Sequence, residues 1–239
     1  MAAALARILA FDIGGTGLKA AIIDAKGKML TERLKVPTPA GCTPKQMVDA
    51  LVRLAKPFPP HDHIAIGFPG VVRGDRVLTA PHWGTKKWAN FELARALSKR
   101  LGDTPARLIN DAEMQGLAVI KRRGLELVLT LGTGAGTALF REGELMPHLE
   151  LAHHPIHKGL TYNDYVGNDA LKKYGKRRWN KHVQATIGIL ESLLHYDHLY
   201  IGGGNATQVT LRLPSNISLV SNAAGLEGGA ALWQTAVRD

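Results

Sequence analysis

Two glycine-rich bends, each placed between two apolar segments, lie about half the chain apart. The first, Gly14-Gly15-Thr16-Gly17, follows residues 7–13, and the second, at residues 132–136, follows residues 125–131. Each pattern predicts a strand, a tight turn and a second strand, because glycine tolerates the backbone angles that such turns use. Aligned without gaps at an offset of 118 residues, residues 11–14 match residues 129–132. This self-similarity predicts two copies of one α/β unit.

Composition limits the class of protein. The chain has 239 residues, of which 45% are hydrophobic and 21% charged, which excludes a disordered or collagen-like chain. Its longest uncharged stretches, among them residues 127–140, have 14 residues, which is shorter than the roughly 20 apolar residues that a membrane-spanning helix needs. Cys42 is the only cysteine, so an internal disulfide and a cysteine-based zinc cluster are excluded. Since the N-terminal residues lack a signal-peptide pattern, we expect a cytoplasmic protein that contacts no membrane.

Positive charge is concentrated in one segment. The formal net charge is +10, and residues 172–182 contribute six cations and no acid. Such a run predicts either an anionic partner or a solvated helix face. Because Tyr174 and Trp179 interleave the cations, stacking against nucleic acid is an alternative interpretation.

Strand and helix patterns alternate along the rest of the chain. Besides the strands flanking the bends, we predict strands within residues 28–36, 64–68, 107–109 and 198–201, and a hairpin around Gly74-Asp75. We also predict a helix from Pro44 with Thr43 as its N-cap, a helix capped by Asn90, helices at residues 112–122 and around residues 183–194, and a glycine-broken helix at residues 223–236.

Both bends suit a phosphate-bearing ligand, because they offer backbone N–H groups that no bulky side chain shields. The Walker A and dinucleotide-binding patterns are absent. For either bend alone a purely structural hairpin is the simpler interpretation. Asp12 at the first bend and Thr130, Thr133 and Thr137 around the second favour phosphate binding.

The order of motifs resembles the ROK group of actin-like sugar kinases. The similar segments are residues 12–19 (DIGGTGLK), 67–71 (GFPGV), 110–112 (NDA), 131–137 (LGTGAGT), 150–153 (ELAH) and 201–204 (IGGG). Within that group, the basic segment at residues 176–182, the missing zinc cysteines and the short length are most similar to polyphosphate glucokinases. The resemblance implies two actin-like (ribonuclease H-like) α/β domains with mixed β-sheets, at residues 1–110 and 111–239, and an active site in the interdomain cleft.

The resemblance also implies a reaction, namely phosphoryl transfer from polyphosphate, or from ATP, to the 6-hydroxyl of glucose. Asp111 is then the general base, although from the residues alone it could equally cap the following helix. Asp12 is expected to bind Mg²⁺ through water. The implied sugar-binding residues are Pro69, Gly70, Asn110, Asp111, Glu150, His153 and Asn163. The implied phosphate-binding residues are Asp12, Gly14, Gly15, Thr16, Lys19, Gly132, Thr133, Gly134, Gly203, Gly204, Lys176, Arg177 and Arg178.

Two positions depart from the family pattern. Ala152 stands where the family has glycine, and Asn163 stands where it has a sugar-binding glutamate, which leaves the identity of the hexose open. No zinc is expected, because no cysteines follow His153, His154 and His157. The resemblance further implies a homodimer, and nucleic acid is not the expected partner. The alternatives are a strictly ATP-dependent hexose or amino-sugar kinase and a non-catalytic sugar-sensing regulator.

Overall fold

The computed structural model describes residues 6–234. The strands in this range are β1 Ile8–Ile13, β2 Gly17–Ile23, β3 Leu34–Pro37, β4 His63–Phe68, β5 Val72–Arg73, β6 Arg76–Val77, β7 Ala106–Asn110, β8 Leu125–Leu131, β9 Ala135–Arg141, β10 Glu144–Leu145, β11 Pro155–His157, β12 Leu160–Thr161, β13 His198–Gly202 and β14 Ile217–Leu219. The α-helices are α1 Pro44–Ala55, α2 Thr85–Trp88, α3 Leu93–Arg100, α4 Asp111–Val119, α5 Tyr162–Val166, α6 Asn168–Leu194 and α7 Ala224–Glu227. Short 3₁₀ helices occur at Leu151–His153, Ala206–Gln208 and Gly228–Trp233.

The chain divides into two compact units. The first contains the residues up to 118 together with those from 223 onward, and the second is Val119–Asn222. Helix α7 and all of α4 except its last residue, Val119, thus lie in the same unit as β1. The resemblance implied a boundary between residues 110 and 111.

The first unit is built on a five-stranded mixed sheet with the strand order β3-β2-β1-β4-β7. β1 pairs antiparallel with β2 and parallel with β4, and β4 pairs parallel with β7. Because β1, β4 and β7 run in one direction, the residues that follow them meet at one edge of the sheet. In open sheets with parallel strands this edge is where ligands bind.

The second unit repeats this arrangement. Its sheet has the order β10-β9-β8-β13-β14, with β8 antiparallel to β9 and parallel to β13. β8 and β9 therefore correspond to β1 and β2, which confirms the internal repeat expected from the glycine bends. The mixed α/β fold class is also confirmed.

Helices cover both faces of the first sheet. Leu9 and Phe11 pack with Leu51 of α1 in one cluster, whereas Ile8 and Ala10 face Leu226 and its neighbours in another. The alternation follows from the two-residue period of a strand, which sends successive side chains to opposite faces. This sheet is therefore buried on both sides. The face that carries Ile8 and Ala10 is covered in part by the residues around Leu226.

The long helix α6 packs on the second sheet. Trp179, Val183 and Leu190 lie in the core with Leu127 and Leu199. Gly175 interrupts the helical backbone with a φ angle of 71°, which glycine adopts at little cost. The run of cations at residues 172–182, called the basic run below, therefore spans a kink in α6.

Several predicted elements differ from the structure. Of the third strand expected at residues 28–36, residues 34–36 belong to β3, which extends to Pro37, and Met29 forms an isolated bridge to Ile23 of β2. Asn90 does not cap α3, which begins at Leu93 after Glu92; Asn90 instead has a φ angle of 62° and forms a turn. The final helix is a single α-helical turn followed by a 3₁₀ segment, and the part predicted at residues 235–236 lies outside the described range.

Helix α4 ends earlier than predicted, at Val119. The buried Glu126 carboxylate accepts hydrogen bonds from the backbone N–H groups of Lys121 and Arg123 at 2.7 and 3.1 Å. These bonds hold the chain in a turn that leads into β8. Among residues 6–234, no helix has the length and apolar character to cross a membrane.

Candidate active site

Three predicted motifs meet at one edge of the first sheet. Asp12 lies near the end of β1, Pro69 and Gly70 follow β4, and Asp111 follows β7. Since these strands are adjacent and parallel, the fold brings together residues that are about 100 positions apart in sequence. The structure thus assembles the first glycine bend, the Pro69-Gly70 turn and the Asn110-Asp111 pair within one unit.

The first glycine bend is held by its own backbone and by Thr38. Gly14 N donates to Gly17 O at 3.0 Å, and Thr38 Oγ1 donates to Gly14 O at 2.7 Å. Gly15 lies against the ring of His82, because a Cβ atom at Gly15 would come within 3.1–3.3 Å of that ring. A larger residue at position 15 would therefore have to displace the imidazole.

Asp12 forms an ion pair with Lys19. The distance between Lys19 Nζ and Asp12 Oδ2 is 2.6 Å. The same carboxylate faces α7, where a Cβ atom on Gly225 would lie 3.0 Å from Asp12 Oδ2. Asp12 and Lys19, which the resemblance implies bind metal and phosphate, thus contact each other beside the bend.

Asn110 uses its side chain within the protein. Its Oδ1 atom accepts from Ala112 N and Glu113 N at 2.9 and 3.2 Å, which caps α4. Its Nδ2 atom donates to Gly70 O at 3.1 Å and approaches Phe68 O at 3.4 Å. With only 4% of the residue exposed, Asn110 ties the turn after β4 to the start of α4.

Asp111 occupies the first position of α4, and Asn110 supplies the cap. Asp111 Oδ1 accepts a hydrogen bond from Ala112 N at 2.9 Å, which restrains the side-chain rotamer. Helix α4 comes close to β4 because Gly67 has no side chain; a Cβ atom there would lie 2.7 Å from Met114 Cε and 3.4 Å from Asp111 Cα. The position of Asp111 therefore depends on glycine at residue 67.

In the second unit, the structure brings the second glycine bend together with the turn after β13. Gly132 N donates to Gly134 O at 2.9 Å within the bend. Asn205 joins the two segments, since its backbone N donates to Leu131 O at 2.8 Å and its Nδ2 to Gly132 O at 3.1 Å. Gly203, with a φ angle of 85°, lies so close that a Cβ atom would overlap Leu131 O.

Glu150 and His153 lie in the segment that follows β10 and contains the Leu151–His153 3₁₀ helix. Thr137 Oγ1 donates to Leu149 O at 2.8 Å, which ties this segment to β9. Glu150 Oε2 lies 3.5 Å from His148 Nε2. His153 is exposed, and hydrogen bonds from Thr161, together with the nearby His153, lower the pKa of Asp164.

The basic run forms a mostly exposed surface of α6. Lys176, Arg177 and Arg178 are exposed, and the Arg178 guanidinium lies 4.9 Å from the centre of the Tyr174 ring. Trp179 is 0% exposed and donates its Nε1–H to Val166 O at 3.0 Å. The interpretation that Trp179 stacks on nucleic acid is therefore wrong, because the indole is part of the core.

Sequence reasoning missed two residues that contact the first bend, namely Thr38 and His82. Each comes from a segment with no motif of its own, and each contact depends on the tertiary fold. The contact of Asn205 with the second bend had a clearer signal, because Asn205 directly follows the Gly202-Gly203-Gly204 turn. No group of three or more His, Cys, Asp or Glu side chains in the described part of the chain is arranged to hold a metal ion.

Comparison with known proteins identifies the family of the chain. The profile of the ROK family matches residues 8–150. The polyphosphate glucokinase of Mycobacterium tuberculosis (strain CDC 1551 / Oshkosh) is 27% identical over 235 aligned residues, which cover 92% of this chain and 88% of that protein. An N-acetylmannosamine kinase of Escherichia fergusonii is 35% identical over 145 residues, 58% of this chain and 48% of that protein.

A solved structure agrees with this result. The inorganic polyphosphate/ATP-glucomannokinase of Arthrobacter sp. strain KM superposes with a TM-score of 0.85 at 32% identity, covering 96% of this chain and all of that one. The superposition extends over both mixed sheets of this chain. This similarity confirms the expected actin-like two-domain fold. The chain belongs to the ROK family.

Proposed function

We propose that the chain is a hexokinase-type phosphotransferase that transfers a phosphoryl group from polyphosphate or ATP to the 6-hydroxyl of glucose. The observation that carries this proposal is the edge of the first sheet: Asp12 and the first glycine bend lie at the end of β1, Asp111 follows β7, and β4 lies between these two strands and runs parallel to both. The similarity to a polyphosphate glucokinase and to a polyphosphate/ATP-glucomannokinase supports it.

Asp111 is the proposed general base. The oxygen of the sugar hydroxyl forms a bond to the terminal phosphorus of the donor as the bond from that phosphorus to its bridging oxygen breaks. The Asp111 carboxylate accepts the hydroxyl proton, and the shortened donor leaves with the electron pair of the broken bond. The hydrogen bond from Ala112 N to Asp111 Oδ1 keeps the carboxylate in place for this transfer.

The acceptor sugar is proposed to lie against the Pro69-Gly70 turn, with Glu150 and His153 binding hydroxyl groups. A carboxylate accepts and an imidazole donates or accepts, so the two side chains suit adjacent hydroxyls. Asn110 supports this site by fixing the Gly70 carbonyl to the start of α4. Because the Asn110 amide is buried, we propose that Asn110 contributes to catalysis by aligning the site. Alignment lowers the activation barrier because it holds the reacting groups together.

The donor is proposed to contact backbone N–H groups of the two bends, including Gly14, Gly15, Thr16, Gly132, Thr133 and Gly134, and the turn at Gly203 and Gly204. Lys19 would add positive charge beside the first bend. Lys176, Arg177 and Arg178 offer exposed cations for the length of a polyphosphate chain, because a repeating anion gains from several cations at once. ATP would need only the phosphate-binding part of this surface and a slot for adenine near Asn205.

The carboxylate of Asp12 is a suitable ligand for a magnesium ion. Mg²⁺ prefers carboxylate and phosphate oxygens and retains bound water. Magnesium would neutralise the charge that develops on the donor phosphates. The single carboxylate beside the bend is consistent with binding through water rather than with a cage of protein ligands. Lys19 is close enough to the same carboxylate to balance its charge when the metal has left.

A coupled assay tests the proposal by comparing polyphosphate and ATP as donors with glucose, mannose and N-acetylglucosamine as acceptors. Turnover of glucose with polyphosphate is expected, and activity with ATP alone would rule out the polyphosphate part. Asp111→Asn should lower kcat by about 10² to 10⁴, and the variant should still fold and bind glucose. The matched control is Asp103→Asn at an exposed turn, and near-normal turnover in Asp111→Asn would overturn the mechanism.

A strictly ATP-dependent hexose or amino-sugar kinase is the second candidate. The identity to an N-acetylmannosamine kinase over 145 residues favours it. Phosphorylation of an N-acetylated sugar with ATP, and none of glucose with polyphosphate, is the expected result for this candidate. Sugar binding without any turnover would instead indicate a non-catalytic sensor.

A further inference from the structure

We propose that Asn163 is a positioning residue for the second glycine bend, so that it acts on the phosphoryl donor rather than on the sugar. The proposal rests on the proposed function, since it assigns this bend to the donor. It changes the expectation drawn from the resemblance, in which this position contacts the sugar.

The Asn163 side chain ends at the bend. Its Oδ1 atom accepts a hydrogen bond from Ala135 N at 2.8 Å. The same oxygen occupies the space beside Gly134, where a Cβ atom would overlap it. The side-chain amide therefore fixes one backbone N–H and requires glycine at the adjacent residue.

The start of α6 supplies a second attachment on the other side of Gly134. Asn168 N donates to Thr133 O at 3.3 Å, and Gly167 lies so close that a Cβ atom there would be 2.8 Å from Thr133 O. Thr133 and Ala135 are thus both tied to the α5–α6 region. The peptide groups of Gly134 lie between these two attachments.

Helix α5 is itself held firmly. Thr161 and Asp164 form a reciprocal capping box, with Thr161 N to Asp164 Oδ2 at 3.0 Å and Asp164 N to Thr161 Oγ1 at 3.3 Å. Asn163 lies within this locked first turn. A side chain on a rigid support positions its partner more accurately than one on a mobile loop.

The chemistry of an amide suits this role. A carboxylate would accept the same hydrogen bond, but it would place a negative charge beside a bend proposed to bind a polyanion. Asparagine supplies the acceptor oxygen without the charge. Asn163→Asp should therefore preserve the backbone of the bend and weaken binding of the donor.

The experiment compares Asn163→Ala and Asn163→Asp with Asn168→Ala, the matched control, because Asn168 contacts Thr133 through its backbone. Asn163→Ala should raise KM for the donor by about tenfold or more, with the glucose Kd measured without donor changed less than about twofold. Asn163→Asp should raise the donor KM as well, and Asn168→Ala should change neither constant. A rise in the glucose Kd with an unchanged donor KM, or equal changes in both, would overturn the proposal.

Hydrogen exchange separates this proposal from the proposed function. Loss of the acceptor oxygen should speed exchange of the Ala135 amide in Asn163→Ala, whereas Asn163→Asp should keep it slow. This measurement needs no turnover, so it remains decisive even if the chain proves inactive as a kinase. Unchanged exchange in Asn163→Ala would overturn the proposal.

A double-mutant test adds a second check. Gly134→Ala should disturb the bend because the new methyl group meets Asn163 Oδ1, and Asn163→Ala should relieve that collision. The double variant Gly134→Ala/Asn163→Ala lacks the acceptor for the Ala135 amide, but it should exchange the other amides of residues 132–136 more slowly than Gly134→Ala alone. Strictly additive effects would contradict the contact.

Discussion

Lys19 and Asp12 stand directly opposite each other on β2 and β1, with Lys19 Nζ 2.6 Å from Asp12 Oδ2. Their side chains are only 16% and 12% exposed, so water screens the pair less than it would at the surface. Removing one member of such a pair leaves the other charge poorly compensated, which is more costly than the pair itself. The charge beside the first glycine bend is therefore set by two residues together.

Lys19→Met should raise KM for ATP and for polyphosphate by about tenfold, because a cation next to the donor phosphates is lost. It should also lower the melting temperature, since Asp12 loses its ion-pair partner. Steady-state kinetics and thermal unfolding measure both effects. Lys28→Met, at an exposed position that follows the turn at residues 25–27, is the control. An unchanged donor KM in Lys19→Met would show that the ammonium group does not face the donor.

Reversing Lys176, Arg177 and Arg178 to glutamate should raise KM for long polyphosphate much more than KM for ATP. The reason is that only a long anion reaches cations beyond the bends, and the difference should shrink as added salt screens exposed charges. Reversing Lys28, Lys56 and Lys99, which are exposed in the first unit, controls for net charge. Equal effects on both donors would place the basic run outside the donor path.

Gly203→Ala should lower the free energy of unfolding by about 1–3 kcal/mol, because Gly203 has a φ angle of 85° and a Cβ atom would overlap Leu131 O. Urea unfolding measures the change. Gly204→Ala is a close control, since a Cβ atom there meets nothing within 4 Å. Similar losses in the two variants would contradict the tight contact between the turn and β8.

Acid should destabilise the second unit through His198. Burial, together with the positive charge of Lys121, lowers the pKa of His198 from its ordinary value of 6.5, against an opposing effect of Glu126. The unfolded chain then binds more protons than the folded one just below pH 6.5, so the free energy of unfolding falls as the pH drops through that range.

His198→Gln should flatten this dependence, because glutamine does not titrate and can replace the 2.9 Å hydrogen bond to Ser218 Oγ. Urea unfolding at pH 7.5 and pH 5.5 would measure the difference between the variant and the parent. His195→Asn, at an exposed left-handed position, serves as the comparison. An unchanged slope in His198→Gln would show that another group controls the acid response.

Local chemistry made part of the fold predictable. Thr43 and Pro44 start α1 with a complete capping box, and the two glycine bends mark the strand pairs of both sheets. These signals lie within a few residues of the structure that they specify. By contrast, Asn90 carries a cap-forming side chain but adopts a left-handed turn, since its backbone N donates to Val77 O and the β6 region decides its conformation.

The candidate site was predictable as a set of motifs and less so as a set of contacts. The parallel order of β1, β4 and β7 gathers the motifs of the first unit, and this order follows from the resemblance. The contact of Asn163 with Ala135 depends on the placement of α5, which no sequence pattern predicted. The same holds for His82 against Gly15, because the segment that carries His82 has no regular period.

The second unit interrupts the first, and this has a consequence for synthesis on the ribosome. Leu226 and Leu232, which pack on Ile8 and Ala10, are made only after the whole of Val119–Asn222. A nascent chain therefore completes every residue of its inserted half before it can close the earlier half. Until translation ends, one apolar surface of the first sheet lacks part of its cover and is a natural target for chaperones.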